Sequence, residues 1–102
     1  MLELVFSPTY RESYRKLPLH VRKKVKAKTR HIQESPHVLP AGFKHKMYKS
    51  KSVIDYFGGK VHEVYADKDH RLFYLLEPNT VVLLLAGNRQ SVHGLLERLV
   101  GG

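Results

Sequence analysis

The chain has 102 residues, 26% of them charged, a formal net charge of +9 and no cysteine. A chain of this length fits one domain, residues 1–102, with a single modest core that takes roughly 60% of the unfolded surface out of water. The lack of cysteine excludes disulfides and thiolate metal sites, and the longest apolar stretch, Val81 to Ala86, is far too short to span a bilayer.

With no basic leader followed by a long apolar run, a cytoplasmic protein without membrane contact is the expectation. The positive charge is one-sided. Residues 1–51 carry 13 Lys+Arg against Glu3, Glu12 and Glu34, whereas residues 52–102 carry 5 against 6 acids. Such a field concentrates polyanions and predicts salt-sensitive nucleic-acid binding by the N-terminal half.

In chain order, Leu2, Leu4 and Phe6 alternate as in a strand with one buried face. Ser7-Pro8 then reads as an N-cap followed by proline at the first helical position, opening a short helix to about Leu17 with Tyr10, Tyr14 and Leu17 as its apolar stripe. Pro18 starts a second helix in which Val21, Val25 and Ile32 mark the inner side. Arg22, Lys23, Lys26 and Arg30 are left outside, and like charges four residues apart weaken a helix, so their accumulation predicts an RNA-facing surface. Ser35-Pro36 and Leu39-Pro40-Ala41-Gly42 end that helix. The stretch Phe43 to Lys51 alternates imperfectly and reads as a strand or extended loop, with Lys44, Lys46, Lys49 and Lys51 as an edge for RNA or against aggregation.

Val61 to Ala66 is the next strand. Asp67-Lys68-Asp69 turns it into Leu72 to Leu76; a three-residue turn sets Tyr65 facing Arg71, a one-residue slip would give Tyr65 another neighbour, and the sequence leaves that register open. Glu77-Pro78-Asn79 turns that strand into Thr80 to Ala86. On those turns Leu76 faces Thr80 and Arg71 faces Leu85, which gathers His70, Arg71, Arg89 and His93 at one corner. Ser91 caps a last helix to Val100, with Leu95, Leu96 and Leu99 as its apolar side. The expected class is α+β: a mainly antiparallel sheet with an N-terminal helical hairpin packed on one face and a short C-terminal helix, all helices lying on one side.

Seven histidines show no metal-binding pairing, and no phosphate loop, dinucleotide fingerprint or serine elbow is present, so no metal or other cofactor is expected. Phosphodiester chemistry remains. Cleavage of RNA by its own 2′-hydroxyl needs a base for that proton, cations for the charge on phosphorus and an acid for the departing 5′-oxygen. Arg71 and Arg89 suit the cationic task, unless Arg71 instead pairs with Glu63 or Asp69. His93 suits the acid.

These residues also carry a likeness. His70-Arg71-Leu72-Phe73-Tyr74, the strand Val81 to Ala86 and Gly87-Asn88-Arg89 resemble the arginine motif, last strand and terminal arginine of the RelE/ParE superfamily of bacterial toxins. Phe6-Ser7-Pro8 and Tyr14-Arg15-Lys16-Leu17-Pro18, followed by the lysine-rich helix, resemble its opening. The resemblance covers nearly the whole chain. It implies a type II toxin of the RelE-like branch, a ribosome-dependent mRNA endoribonuclease in which Arg71, Arg89 and His93 occupy the phosphate-stabilising and acid positions. The chain departs from many such toxins on the strand before the motif, where His62 and Val64 replace lysines, leaving Tyr65 and His62 as stand-ins for the base. The implied partners are a cognate antitoxin, the ribosome and mRNA. Two alternatives stay open: a ParE-like inhibitor of DNA gyrase, and an inactive binding module of the same fold.

Overall fold

The computed structural model describes residues 2–35, 45–48 and 61–101. They form β1 (Glu3–Phe6), α1 (Pro8–Arg15), α2 (Leu19–Glu34), β2 (His45–Tyr48), β3 (Val61–Tyr65), β4 (His70–Leu76), β5 (Thr80–Asn88) and α3 (Val92–Gly101), the order and α+β class expected. Lys44, Lys49 and Lys51, and the two prolyl stretches after α2, lie outside the described residues.

The five strands make one sheet in the order β1-β5-β4-β3-β2. Of its pairs, β1 with β5 runs parallel and the other three are antiparallel. At the start of α1 the Ser7 hydroxyl accepts the Tyr10 N–H at 3.0 Å, with Pro8 in the first turn. In α2 Val21, Val25 and Ile32 are completely buried, joined by Thr29. That threonine was not anticipated; its hydroxyl donates to the Lys26 carbonyl at 2.7 Å, so its polarity is satisfied within the helix.

Two apolar layers lie on opposite sides of the sheet. Tyr10, Leu17, Val21, Val25 and Ile32 pack on Val64, Leu72, Tyr74, Val81 and Leu83. Val61, Phe73, Leu75 and Leu85 pack on Val92 and Leu96. The expectation of helices on one side is therefore corrected: α3 covers the face that the hairpin leaves bare. Among its described side chains the buried pair is Val92 and Leu96, at i and i+4, while Leu95 is 37% exposed; the Leu99 side chain, also expected on the stripe, lies outside the described residues.

The central hairpin also differs in register. Leu76 stands opposite Val81 and Arg71 opposite Gly87. One residue of the slip comes from the turn, where Glu77 and Thr80 exchange N–H···O bonds at 2.8 and 3.4 Å around Pro78 and Asn79. The second comes from a bulge between Phe73 and Tyr74. Because the slips total two residues, Arg71 still shares a face of the sheet with Leu85, the partner expected for it.

β1 ends opposite Leu83, and beyond it two serines finish the edge of β5. The Ser7 hydroxyl donates to the Leu84 carbonyl at 3.1 Å, and the Ala86 N–H donates to the Ser13 hydroxyl at 3.1 Å. Ser13 in turn donates to the Tyr10 carbonyl at 3.0 Å. Both hydroxyls thus donate and accept, and helix α1 serves as the missing strand there.

Candidate active site

Alternation along β3 sets Val61, Glu63 and Tyr65 on the α3 side, paired across to Leu75, Phe73 and Arg71. The expected pairing of Tyr65 with Arg71 is present. The Arg71 guanidinium lies over the Tyr65 ring, 3.5 Å from its centroid. Gly87, opposite Arg71, brings no side chain to compete for that space.

Arg71 is 7% exposed. Its Nη1 donates to the carbonyls of Asp67 at 2.9 Å, Lys68 at 3.2 Å and His70 at 3.1 Å. Burial of the charge is offset by turn dipoles and a ring face, not by the carboxylates of Glu63 or Asp69 considered from the sequence. Asp69 instead stands 3.8 Å from Arg89, which is half-exposed and whose backbone N–H donates to the Asp69 carbonyl at 2.8 Å. Among the described residues nothing accepts from Nε or Nη2 of Arg71.

Glu63 is the residue the sequence reading undervalued. It is 1% exposed, and its carboxylate meets Nε2 of His93 at 2.5 Å. The His93 ring tilts against Phe73 with centroids 5.4 Å apart, while 42% of its side chain remains open to solvent. A buried carboxylate on one ring nitrogen fixes the ring's orientation. The signal was available: a lone acid on the strand face that carries Val61 and Phe73 is costly unless something holds it.

His62 stands apart from this group. It is on the opposite face, stacked on Tyr74 with centroids 5.0 Å apart, because neighbours along a strand point to opposite sides. His70 is on that face too, with Nδ1 3.0 Å from Asp67, whose other oxygen is 3.5 Å from Lys24 of α2. Burial raises the Asp67 pKa, but the Asp69 N–H, His70 and Lys24 outweigh it and hold the carboxyl down at about 2. A depressed carboxyl stabilises the fold above its unfolded value of 3.8, and that contribution fades as pH falls toward about 2. Asp67→Asn should therefore melt lower than the wild type near neutral pH, with the gap closing as acid is added. Equal melting at neutral pH would show that the turn does not use the charge.

On α2, Lys23, Lys26 and Arg30 are exposed. Arg22 is half-buried, with an enclosed Nε that meets no hydrogen-bond partner among the described residues. Lys46, on β2, stands opposite Glu63 in the backbone register.

No family model matches the sequence, and no curated protein matches it. Solved structures do match. A copper-bound mutant toxin from Helicobacter pylori is 19% identical with a TM-score of 0.71, over 89% of this chain and 98% of that one. YafQ from E. coli is 14% identical with a TM-score of 0.71, over 89% and 97%. The RelB-RelE antitoxin-toxin complex from Methanococcus jannaschii gives 16% and 0.66, over 89% and 96%. The fold is common to all of them, nearly end to end.

Proposed function

We propose that this chain, which has the fold of RelE-type toxins, is the toxin of a type II toxin–antitoxin pair and cleaves mRNA on the ribosome. The observation that carries the reading is the cluster on the α3 face: a guanidinium whose Nε and Nη2 meet no acceptor among the described residues, and a histidine oriented by a buried carboxylate. Those are the groups that metal-free cleavage by a 2′-hydroxyl uses.

In that reaction the 2′-oxygen attacks phosphorus, the bond to the 5′-oxygen breaks, and the products are a 2′,3′-cyclic phosphate and a 5′-hydroxyl. Arg71 offers Nε and Nη2 to the phosphate oxygens, and Arg89 adds a second charge from the end of β5. His93 gives its Nδ1 proton to the 5′-oxygen, while Glu63 holds the ring through Nε2. Tyr65, flat under Arg71, is the candidate for receiving the 2′ proton. His62, on the other side of the sheet, takes no part. An antitoxin is the expected partner, as in the RelB-RelE complex.

Expression without a partner should arrest growth and leave mRNA cut within reading frames. Intact mRNA with inhibited DNA supercoiling would replace this reading with gyrase inhibition.

The basic face of α2 supplies the docking charge. Reversing Lys23, Lys26 and Arg30 to glutamate should weaken ribosome binding and flatten its dependence on salt, since a phosphate that is no longer neutralised keeps its counterions. Melting should shift little, because exposed positions cost within about 0.5 kcal/mol each. Arg22 does not belong in that set; its enclosed Nε makes it part of the packing. Salt titrations of binding beside thermal melts of the triple variant are the check.

A further inference from the structure

Three carbonyls of one short turn converge on a single nitrogen. Arg71 Nη1 meets those of Asp67, Lys68 and His70, all in the link between β3 and β4. The remaining carbonyl of that link, Asp69, holds the Arg89 N–H at 2.8 Å. Tyr65 supports the flat face of the Arg71 guanidinium, and the carbonyls set its direction within that plane. Both arginines of the corner therefore depend on the path of residues 67–70. Carbonyl oxygens carry like partial charges and repel one another at such spacing, and Lys68 and Asp69 are exposed, so something must hold the turn in this form.

The Asp67 carboxylate does so from the α2 side of the sheet. Its Oδ1 accepts the Asp69 N–H at 2.8 Å and stands 3.0 Å from Nδ1 of His70, and its Oδ2 stands 3.5 Å from Lys24 on α2. The Asp69 N–H and the Lys68 carbonyl are two ends of one peptide unit, and in a planar trans peptide they point in opposite directions. A carboxylate that draws the N–H to its own side thus turns the carbonyl toward the α3 side, where it meets Arg71 at 3.2 Å. The His70 carbonyl is fixed in the same link by the N–H groups of Ala66 at 3.0 Å and Asp67 at 3.4 Å.

We propose that Asp67 is a positioning residue for Arg71: through the Lys68–Asp69 peptide unit its carboxylate seats the guanidinium without touching it or anything that reacts. The inference rests on the reading above only for what the seated guanidinium goes on to do. Geometry, and not charge, is what the placement uses. Aspartate and asparagine have the length that closes a ring with the N–H two residues on, and glutamate is one methylene too long. The charge serves Lys24 and His70, and hence the melting behaviour described above. Asp69 is the weaker candidate, because its carboxylate is half-exposed and 3.8 Å from Arg89, and a surface pair of that kind contributes little.

Two variants separate geometry from charge, both assayed well below their melting temperatures. Asp67→Asn keeps the ring and loses the charge; although it melts lower, it should cut mRNA on ribosomes at close to the wild-type rate. Asp67→Glu keeps the charge and loses the ring. Its kcat should fall roughly tenfold to a hundredfold with KM for ribosomes unchanged, since the α2 surface is intact and a small misplacement is felt in the transition state. A wild-type rate in Asp67→Glu would overturn the proposal, as would the reverse order or equal losses in the two. Hydrogen exchange at Arg71 Nη1, followed by NMR, is a readout independent of cleavage. These protons should be protected in the wild type and in Asp67→Asn and exchange faster in Asp67→Glu. That pattern in a protein that leaves mRNA intact upholds the placement and removes the function; cleavage at one rate by all three proteins upholds the function and removes the placement.

Discussion

Arg71→Ala is expected to slow mRNA cleavage by roughly a hundredfold to a thousandfold, the scale for removing one donor that stabilises transition-state charge. The same change should also lower folding stability, because the side chain is buried and joins the carbonyls of Asp67, Lys68 and His70 to the face of Tyr65. Each buried acceptor left unmet costs about 1–3 kcal/mol, so the tight turn between β3 and β4 is expected to loosen. Arg71→Lys separates the two effects. A single ammonium keeps the charge but has neither the fork for phosphate nor the flat surface for the ring, so cleavage should stay low while part of the stability returns. Single-turnover cleavage on ribosomes and denaturant melts of both variants are the measurements. Wild-type cleavage by Arg71→Ala would reduce this residue to a turn brace.

Glu63→Gln should cost nearly as much as His93→Gln in rate, about a hundredfold, the lower end of what a positioned proton donor contributes. The amide keeps the size of the side chain but loses the carboxylate that meets His93 Nε2 at 2.5 Å. Because the two residues act as one unit, the double variant should be scarcely slower than either single one. RNA affinity should stay near wild type in both singles. Additive losses in the double variant would break the pair into independent roles, and Glu63 would no longer be acting through His93.

Much of this architecture could be read from residue order. Ser7-Pro8 announces α1 through capping chemistry, and Val21, Val25 and Ile32 announce the inner side of α2; a three-residue turn at Asp67 to Asp69 allows the pairing of Tyr65 with Arg71, but a one-residue slip stayed open until the structure selected that register. What escaped depends on partners distant in sequence. The bulge at Phe73 and Tyr74 carries no local mark, since several apolar residues in a row tolerate a shift that only the packed layers select. The side taken by α3 follows from the hairpin having already filled the other face, which a helix pattern alone does not encode. Of the candidate site, strand order gathered His70, Arg71, Arg89 and His93 at one corner and set Tyr65 across from Arg71; Arg71, Tyr65 and His93 share the α3 face, whereas His70 and His62, which the sequence also offered, lie on the other one, and Glu63 stands where His62 was considered.

The hydroxyl bonds from Ser7 to Leu84 and from Ser13 to Ala86 span 77 and 73 residues, and among the described strands β1 pairs with β5 alone. During synthesis the N-terminal segment therefore waits for residues 80–88 before its strand can pair or its first helix can dock. Closing so long a loop is slow, and the waiting chain exposes apolar rows that invite association. The corner holding Arg71, Arg89 and His93 is completed by the same late strand and the helix after it. Maturation of the site and closure of the sheet are consequently one kinetic event, so a truncated or paused nascent chain carries the basic helices without the completed corner.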